Sequence, residues 1–324
     1  MVGVEGQMSF RILSTGRCVP EKVVTNDELS EFLDTSDEWI SQRVGISSRH
    51  ISVTETAGDL AAGAARAALD AAGCAPEELD LILAATVSGE TVAPSVSCIV
   101  QRELGATCMA FDINAACSAF LFLMETAAGF FARGMRRILI VGAERMSRVV
   151  DWRDRSTCVI FGDGAGAALL EADETNLYAS KFCVTGDDKV ICIPQSVGNS
   201  PYYRGEEREP YTMMNGQETF KFAVNSMCRD LPGLLEEQKL GFDDVRYIIP
   251  HQANSRIIEL ACRKLRIPLD KMAVNIERYG NTSSASIPIV LDELNREGKL
   301  SRGDLLLFCA FGGGLASAAS ILRW

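Results

Sequence analysis

The sequence predicts an α/β fold made of two similar halves, and two observations carry that expectation. Short apolar runs of strand length alternate with Ala-rich runs of helical character, the order that lays helices against sheets. The second half also echoes the first. AAGCAPEELDLILAAT (71–86) and EQKLGFDDVRYIIPHQ (237–252) both run helix, Gly, acidic pair, strand, and IFGDGAGAALL (160–170) is answered by FCAFGGGLASAASIL (308–322). With 324 residues and 47% hydrophobic content, each half of roughly 150 residues has the size of a domain. The boundary is placed between 1–175 and 176–324.

The elements follow in order. The N-terminus, MVGVEGQMSFRIL, lacks a basic segment leading into an apolar core, so no signal peptide is expected. TAGDLAAGAARAALDAAG (56–73) reads as a helix that stops at Gly73. LDLILAATVS (79–88), RRILIVGAE (136–144) and TCVIFGDGAGAALLEA (157–172) read as buried strands, being continuous apolar runs bounded by Gly or charge. FGDGAGA lacks both the G-x-G-x-x-G spacing and a following Lys-Ser/Thr, which points to tight backbone packing rather than to phosphate binding. NSPYYRGEEREPYTMMNG (199–216) is charged and rich in turn formers, a surface loop joining the halves.

Composition excludes several functions. The net charge of −11 lacks the basic footprint that neutralises phosphates, so no nucleic acid is expected as partner. No apolar run approaches the ~20 residues of a membrane span, and a cytoplasmic protein is expected. The eleven cysteines include no C-x-x-C pair and the chain has two histidines, so neither a disulfide framework nor a zinc site is expected. Most of these thiols have only packing work to do.

Three stretches single out Cys117. NAACSAF (114–120) sets the thiol at the start of the apolar helical run LFLMETAAGFF, where oriented N–H groups favour the thiolate. IIPHQAN (248–254) puts His251 at a strand end before a helix, and RYGNTSSAS (278–286) puts Asn281 in a Gly-Asn turn. Taken singly, each is as readily structural. Together they supply a nucleophile, a base or donor, and an amide donor. AFGGG (310–314) adds glycines that let backbone N–H groups approach a ligand. A cysteine peptidase uses the same residue types, and a non-catalytic scaffold is a further alternative.

AACSAF, PHQAN, YGNTS and AFGGG, with DEWI-x-x-RVGI (37–46) and IFGDGAGAA (160–168), resemble the β-ketoacyl-[acyl carrier protein] synthase III family of the thiolase-like fold. The resemblance runs from about Ile12 to Trp324. It implies a duplicated five-layer αβαβα architecture with two mixed β-sheets, a homodimer, and the initiating condensing enzyme of fatty acid synthesis. An acyl-CoA primer would acylate Cys117, and decarboxylative condensation with malonyl-[acyl carrier protein] would follow. His251 and Asn281 would bind the malonyl thioester carbonyl, the N–H groups of Cys117 and Gly313 the acyl carbonyl, and Phe311 would stand beside the carboxylate that is lost.

Trp39, Arg43 and Arg155 match positions that hold CoA, and Asn254 matches one lining the pantetheine tunnel. Lys221, Arg256, Arg263 and Lys264 match basic positions for docking an acidic carrier protein. Ala93, in TVAPSVS (91–97), stands where short-primer enzymes carry a Phe that reaches the partner's acyl pocket. No cofactor is implied, acyl-CoA being a substrate. His50 follows RVGISSR far from any motif and is expected on the surface, which separates this chain from Cys-His-His and Cys-His-Cys relatives. A synthase III-type ketosynthase of polyketide or other secondary metabolism shares the third partner and is the alternative.

Overall fold

The computed structural model describes residues 9–195, 201, 202, 205 and 209–324. The N-terminal eight residues and part of the 199–216 loop lie outside them. Two mixed sheets carry the fold. The first contains β1 (Phe10–Cys18), β2 (Leu81–Ala85), β3 (Met109–Asp112), β4 (Arg137–Arg145) and β5 (Asp163–Ala172), in the order β1-β5-β4-β2-β3. The second contains β6 (Tyr178–Asp187), β7 (Tyr247–Pro250), β8 (Leu305–Gly312) and β9 (Gly314–Arg323), in the order β6-β9-β8-β7.

The duplication is visible in the pairing. From β1 the first sheet runs antiparallel, antiparallel, parallel, parallel; from β6 the second runs antiparallel, antiparallel, parallel. The place of β3 in the second sheet is held by one parallel bridge, Ile248 to Met272. The 71–86 and 237–252 echo is thus β2 and β7 with the segments before them.

Helices complete five layers. Ala57–Ala72 (α1) and Val96–Leu104 (α2) cover the outer face of the first sheet, where they meet Ile82, Ala84, Leu139 and Val141. Ala119–Phe131 (α3) and Ser286–Arg296 (α6) fill the space between the sheets, against Leu81, Leu83, Leu306 and Phe308. Gly216–Glu237 (α4) and Ser255–Leu265 (α5) cover the outer face of the second sheet over Leu307 and Cys309. Alternate residues of β2 and β8 face opposite layers, so both strands must be apolar on both sides. The apolar run after Cys117 has the same cause, because α3 meets a sheet on either side.

Local signals set the boundaries. Thr56 accepts a hydrogen bond from the Asp59 N–H and Asp59 returns one from the Thr56 N–H, a capping box that starts α1, and Gly73 ends it with φ 61°. One strand is shorter than its sequence suggests. Residues 157–160 form a turn, and β5 begins at Asp163. The Asp154 carboxylate accepts from the Ser156 N–H and the Thr157 hydroxyl, a local competitor to strand pairing. No helix among the described residues is long and apolar enough to cross a membrane.

Candidate active site

Cys117, His251, Asn281, Phe311 and Gly313 line one cavity of about 1850 Å³. The fold brings them there from both halves. Cys117 sits in a 3-10 turn, Ala116–Ser118, just ahead of central α3. His251 follows β7, its N–H donating to the Cys309 carbonyl on β8 at 2.7 Å. Asn281 precedes α6 and is pinned by a parallel bridge to Phe161, with the Asn281 N–H on the Ile160 carbonyl and the Gly162 N–H on its own. A Cβ on Gly162 would come within 2.2 Å of the Tyr279 carbonyl oxygen. Gly162 therefore serves close backbone packing beside Asn281, while Gly164 and Gly166 let β5 approach Ile289 and Pro288.

Cys117 lies among strained neighbours. Ala116 and Ser283 both take left-handed conformations, φ 47° and 48°, each costing on the order of 1–3 kcal/mol. The hairpin joining β8 to β9 presses on the nucleophile, since a Cβ on Gly312 would meet the Cys117 N and Cβ at 2.9 and 3.0 Å. Burial pushes the thiol up to about 11, and the charge of Glu144 adds to the rise while Ser283 opposes it. The expected helix-terminus thiolate is corrected: a 3-10 turn intervenes before α3, and desolvation outweighs the oriented N–H groups.

His251 is buried and neutral, its imidazolium disfavoured by desolvation down to about 3. Its Nδ1 lies 2.7 Å from Ser286 Oγ, which accepts from the Gln252 N–H at 3.3 Å. In the tautomer in which the Ser286 hydroxyl donates to Nδ1, Nε2–H is left as a donor toward the cavity. Asn281 Oδ1 accepts from the Ser283 N–H at 2.8 Å, which leaves Nδ2 as the second donor. The Phe311 ring stands edge-on to His251, centroids 5.3 Å apart, and gives this wall an apolar face.

At the mouth, Trp39 carries two guanidinium groups. Arg43 lies 4.6 Å and Arg155 5.1 Å from its ring centroid, and Arg155 also pairs with Asp34. Trp39 and Arg43 line the cavity; Arg155 does not. Asn254 caps α5, its Oδ1 accepting from the Arg256 N–H and its Nδ2 donating to the Arg43 carbonyl, so one side chain joins two mouth segments. Lys221 and Arg256 stand on the rim, whereas Arg263 and Lys264 lie farther along the exposed face of α5. Ala93 is exposed outside the lining, although its neighbours Thr91 and Val92 contribute to it.

His50 departs from expectation. It is half-buried, its Nδ1 is 2.6 Å from the Pro20 carbonyl oxygen, and its ring stacks on Tyr279, two residues before Asn281. Sequence reasoning also missed Ser283, Ser286 and Glu144. Glu144 is the penultimate residue of the apolar strand β4 and is fully buried, and a carboxylate near the end of such a strand is the signal that would have found it. Among the described residues, no cluster of His, Cys, Asp or Glu is arranged to hold a metal ion.

Comparison with known proteins agrees over the whole chain. Residues 111–186 match the family described as 3-oxoacyl-[acyl-carrier-protein] synthase III, and residues 235–324 match its C-terminal counterpart. The chain is 45% identical to the β-ketoacyl-[acyl-carrier-protein] synthase III of Clostridium acetobutylicum, covering 98% of this chain and 99% of that one. It superposes on the 3-oxoacyl-[acyl-carrier-protein] synthase III of Aquifex aeolicus with a TM-score of 0.90 at 43% identity, covering 98% and 100% of the two chains. The priming β-ketosynthase of the R1128 polyketide pathway has the same TM-score, 0.90, at a lower 33% identity, covering 99% of this chain and 98% of that one.

Proposed function

The chain belongs to the β-ketoacyl-[acyl-carrier-protein] synthase III family, the acyltransferases that initiate fatty acid synthesis, and we propose how its own residues divide that work. Cys117 attacks the thioester of an acyl-CoA primer and holds the acyl group. The backbone N–H groups of Cys117 and Gly313 receive the charge that grows on the acyl carbonyl. Malonyl-[acyl carrier protein] then enters, with its thioester carbonyl on His251 Nε2–H and Asn281 Nδ2–H. Loss of carbon dioxide leaves an enolate on those two donors, and its carbon attacks the acyl-Cys117 carbonyl. Phe311 offers the departing carboxylate no hydration, which favours its loss as a neutral gas.

The observation that carries this assignment is the state of His251. Neutral, with Nδ1 engaged by Ser286, it is built to donate to an oxyanion rather than to take a proton from the thiol. That disfavours a peptidase-like Cys-His pair, in which the imidazole is the base.

The remaining assignments belong to the same proposal. Trp39, Arg43 and Arg155 hold the CoA nucleotide, and Asn254 borders the pantetheine arm. Lys221, Arg256, Arg263 and Lys264 meet the carrier protein. The halves 1–175 and 176–324 supply the nucleophile and the His251–Asn281 pair respectively, two copies of the chain form a dimer, and the enzyme works in the cytoplasm without a cofactor. The test separates the half-reactions. Cys117→Ser abolishes labelling by radioactive acetyl-CoA, because a serine hydroxyl without a dedicated base is a far weaker nucleophile. His251→Ala and Asn281→Ala keep most labelling and lose malonyl decarboxylation. Loss of labelling in all three variants alike would overturn the assignment.

A further inference from the structure

The Trp39 mouth and the Asn281 loop are joined by a buried cation that the proposed reaction does not use. Arg49, on the short strand Ser48–His50, is fully buried and does not line the cavity. Its Nη1 donates to Asn26 Oδ1 at 2.8 Å and to the Val24 carbonyl at 3.4 Å, and its Nη2 donates to the Val159 carbonyl at 2.8 Å. All three acceptors are uncharged, and Nε is left without one. A buried cation so provided is costly, and an apolar side chain of similar volume is often as stable in its place. Packing alone therefore does not account for an arginine here. What the guanidinium adds is a connection between two segments of the site.

The first arm leads to the mouth. Asn26 is buried, and its Nδ2 donates to Asp37 Oδ1 and to the Ile46 carbonyl, both at 2.7 Å. Asp37 opens the helix Asp37–Val44, which carries Trp39 and Arg43, and Ile46 follows its Gly45 stop. One amide thus grips both ends of that helix. With Oδ1 held by Arg49, the amide cannot turn over, because its oxygen must face the guanidinium and its N–H groups the two acceptors.

The second arm leads to Asn281. Val159 immediately precedes the segment that pairs with it: the Asn281 N–H donates to the Ile160 carbonyl at 2.9 Å, and the Gly162 N–H to the Asn281 carbonyl at 3.1 Å. The stem of Arg49 packs against the same bridge. An added Cβ at Gly162 or Gly280 would lie 3.1 or 3.4 Å from the Arg49 Cβ. Stem and head group of one side chain therefore fix the backbone that presents Asn281 to the cavity.

We propose that Arg49 is a positioning residue that couples the CoA mouth to the Asn281 donor, an inference that rests on the roles given above to Trp39, Arg43 and Asn281. It touches no substrate. Through Asn26 it acts on binding, and through Val159 on the step that forms the enolate. Cys117 depends on neither arm, being carried by the turn before α3 and pressed by the hairpin at Gly312. Acylation at saturating acetyl-CoA is therefore independent of Arg49.

The test compares Arg49→Met, which keeps the stem, with Asn26→Ala, which cuts the first arm alone. Rates are expressed per Cys117 labelled by radioactive acetyl-CoA, so unfolded protein does not enter them. In Arg49→Met, decarboxylation at saturating malonyl-[acyl carrier protein] falls by about tenfold or more, as a small misplacement of a donor requires. KM for acetyl-CoA rises about threefold, the scale of one weakened cation–π stack. Single-turnover acylation at saturating acetyl-CoA stays near wild type. Asn26→Ala shows the rise in KM without the loss of decarboxylation. Arg49→Lys keeps the charge but cannot span both acceptors, so it shows the same split at smaller size and serves if Arg49→Met does not fold. Combining Arg49→Met with Asn281→Ala slows decarboxylation no further than Asn281→Ala alone, because the second arm ends at Asn281. Equal losses in both half-reactions, wild-type values in both, or additive losses in the double variant would overturn the proposal. Decarboxylation by Asn281→Ala at the wild-type rate would instead defeat the underlying role of Asn281, and the proposal with it.

Discussion

At the scale of single residues, environment and not residue type decides what the site can do. Cys117 and His251 are the pair of a thiol protease by type, but burial drives their ionisations apart, the thiol up to about 11 and the imidazole down to about 3. The consequence is a pH profile. A histidine that stays neutral above about 3 donates from Nε2 throughout the physiological range, so malonyl decarboxylation should be flat between pH 5 and 8. An inflection near 6.5, where an ordinary histidine titrates, would show that His251 changes charge during turnover. The same burial has a cost in acid. Between about 6.5 and 3 the unfolded chain binds a proton at His251 that the folded chain refuses, so this residue lowers stability as pH falls through that window and contributes no slope above it. His251→Asn should therefore soften the loss of melting temperature between pH 6 and 4. These states were not legible in the sequence, which displayed Cys117, His251 and Asn281 but not the desolvation or the Ser286 contact that set their roles.

At the scale of elements, the β8–β9 hairpin and α5 each hold one function in a small number of contacts. Gly312 touches the Cys117 backbone, and the added methyl of Gly312→Ala needs space already taken by atoms at 2.9 and 3.0 Å. A shift of the nucleophile by about 1 Å is enough to cost roughly 10²-fold in acylation. CoA affinity should hold, because the atoms that a Cβ on Gly312 would meet belong to Cys117 and not to Trp39 or Arg43. Retained acylation would mean the hairpin yields instead. On α5, Ile257, Ile258, Ala261 and Cys262 are buried while Arg256, Arg263 and Lys264 are exposed, as their spacing of seven and eight residues predicts. Reversing Arg256 and Lys264 to Glu should raise KM for malonyl-carrier protein severalfold, weaken its salt dependence, and leave acyl-CoA acylation nearly intact. Unchanged kinetics at low salt would make this an ordinary solvated face. Most of these elements were readable in advance, because a strand packed on both sides must be apolar throughout. The 157–160 turn was not, since Asp154 redirects an equally apolar run by side-chain hydrogen bonds.

At the scale of the whole molecule, the sequence repeat proved the most informative signal, because two copies of one unit must pair their strands alike, and the sheets do. What a single chain leaves open is its primer pocket. Val92 is 80% exposed and Ala93 is exposed beside it, on the segment joining β2 to α2, while Thr91 and Val92 still reach the cavity lining. In the proposed dimer this segment closes the partner's acyl pocket, and Ala93 offers a methyl where short-primer enzymes are expected to offer a phenyl ring. The room so gained would accommodate longer or branched primers, each buried methylene being worth about 0.8 kcal/mol, or about fourfold in kcat/KM. Dense packing works against this, since neighbouring side chains tend to fill such space. Ala93→Phe decides between them. It should depress kcat/KM progressively from butyryl-CoA upward and leave acetyl-CoA within a few-fold of wild type. If wild type accepts only acetyl-CoA and propionyl-CoA, or if the variant loses all primers equally, the pocket is bounded by other residues and Ala93 does not set its length.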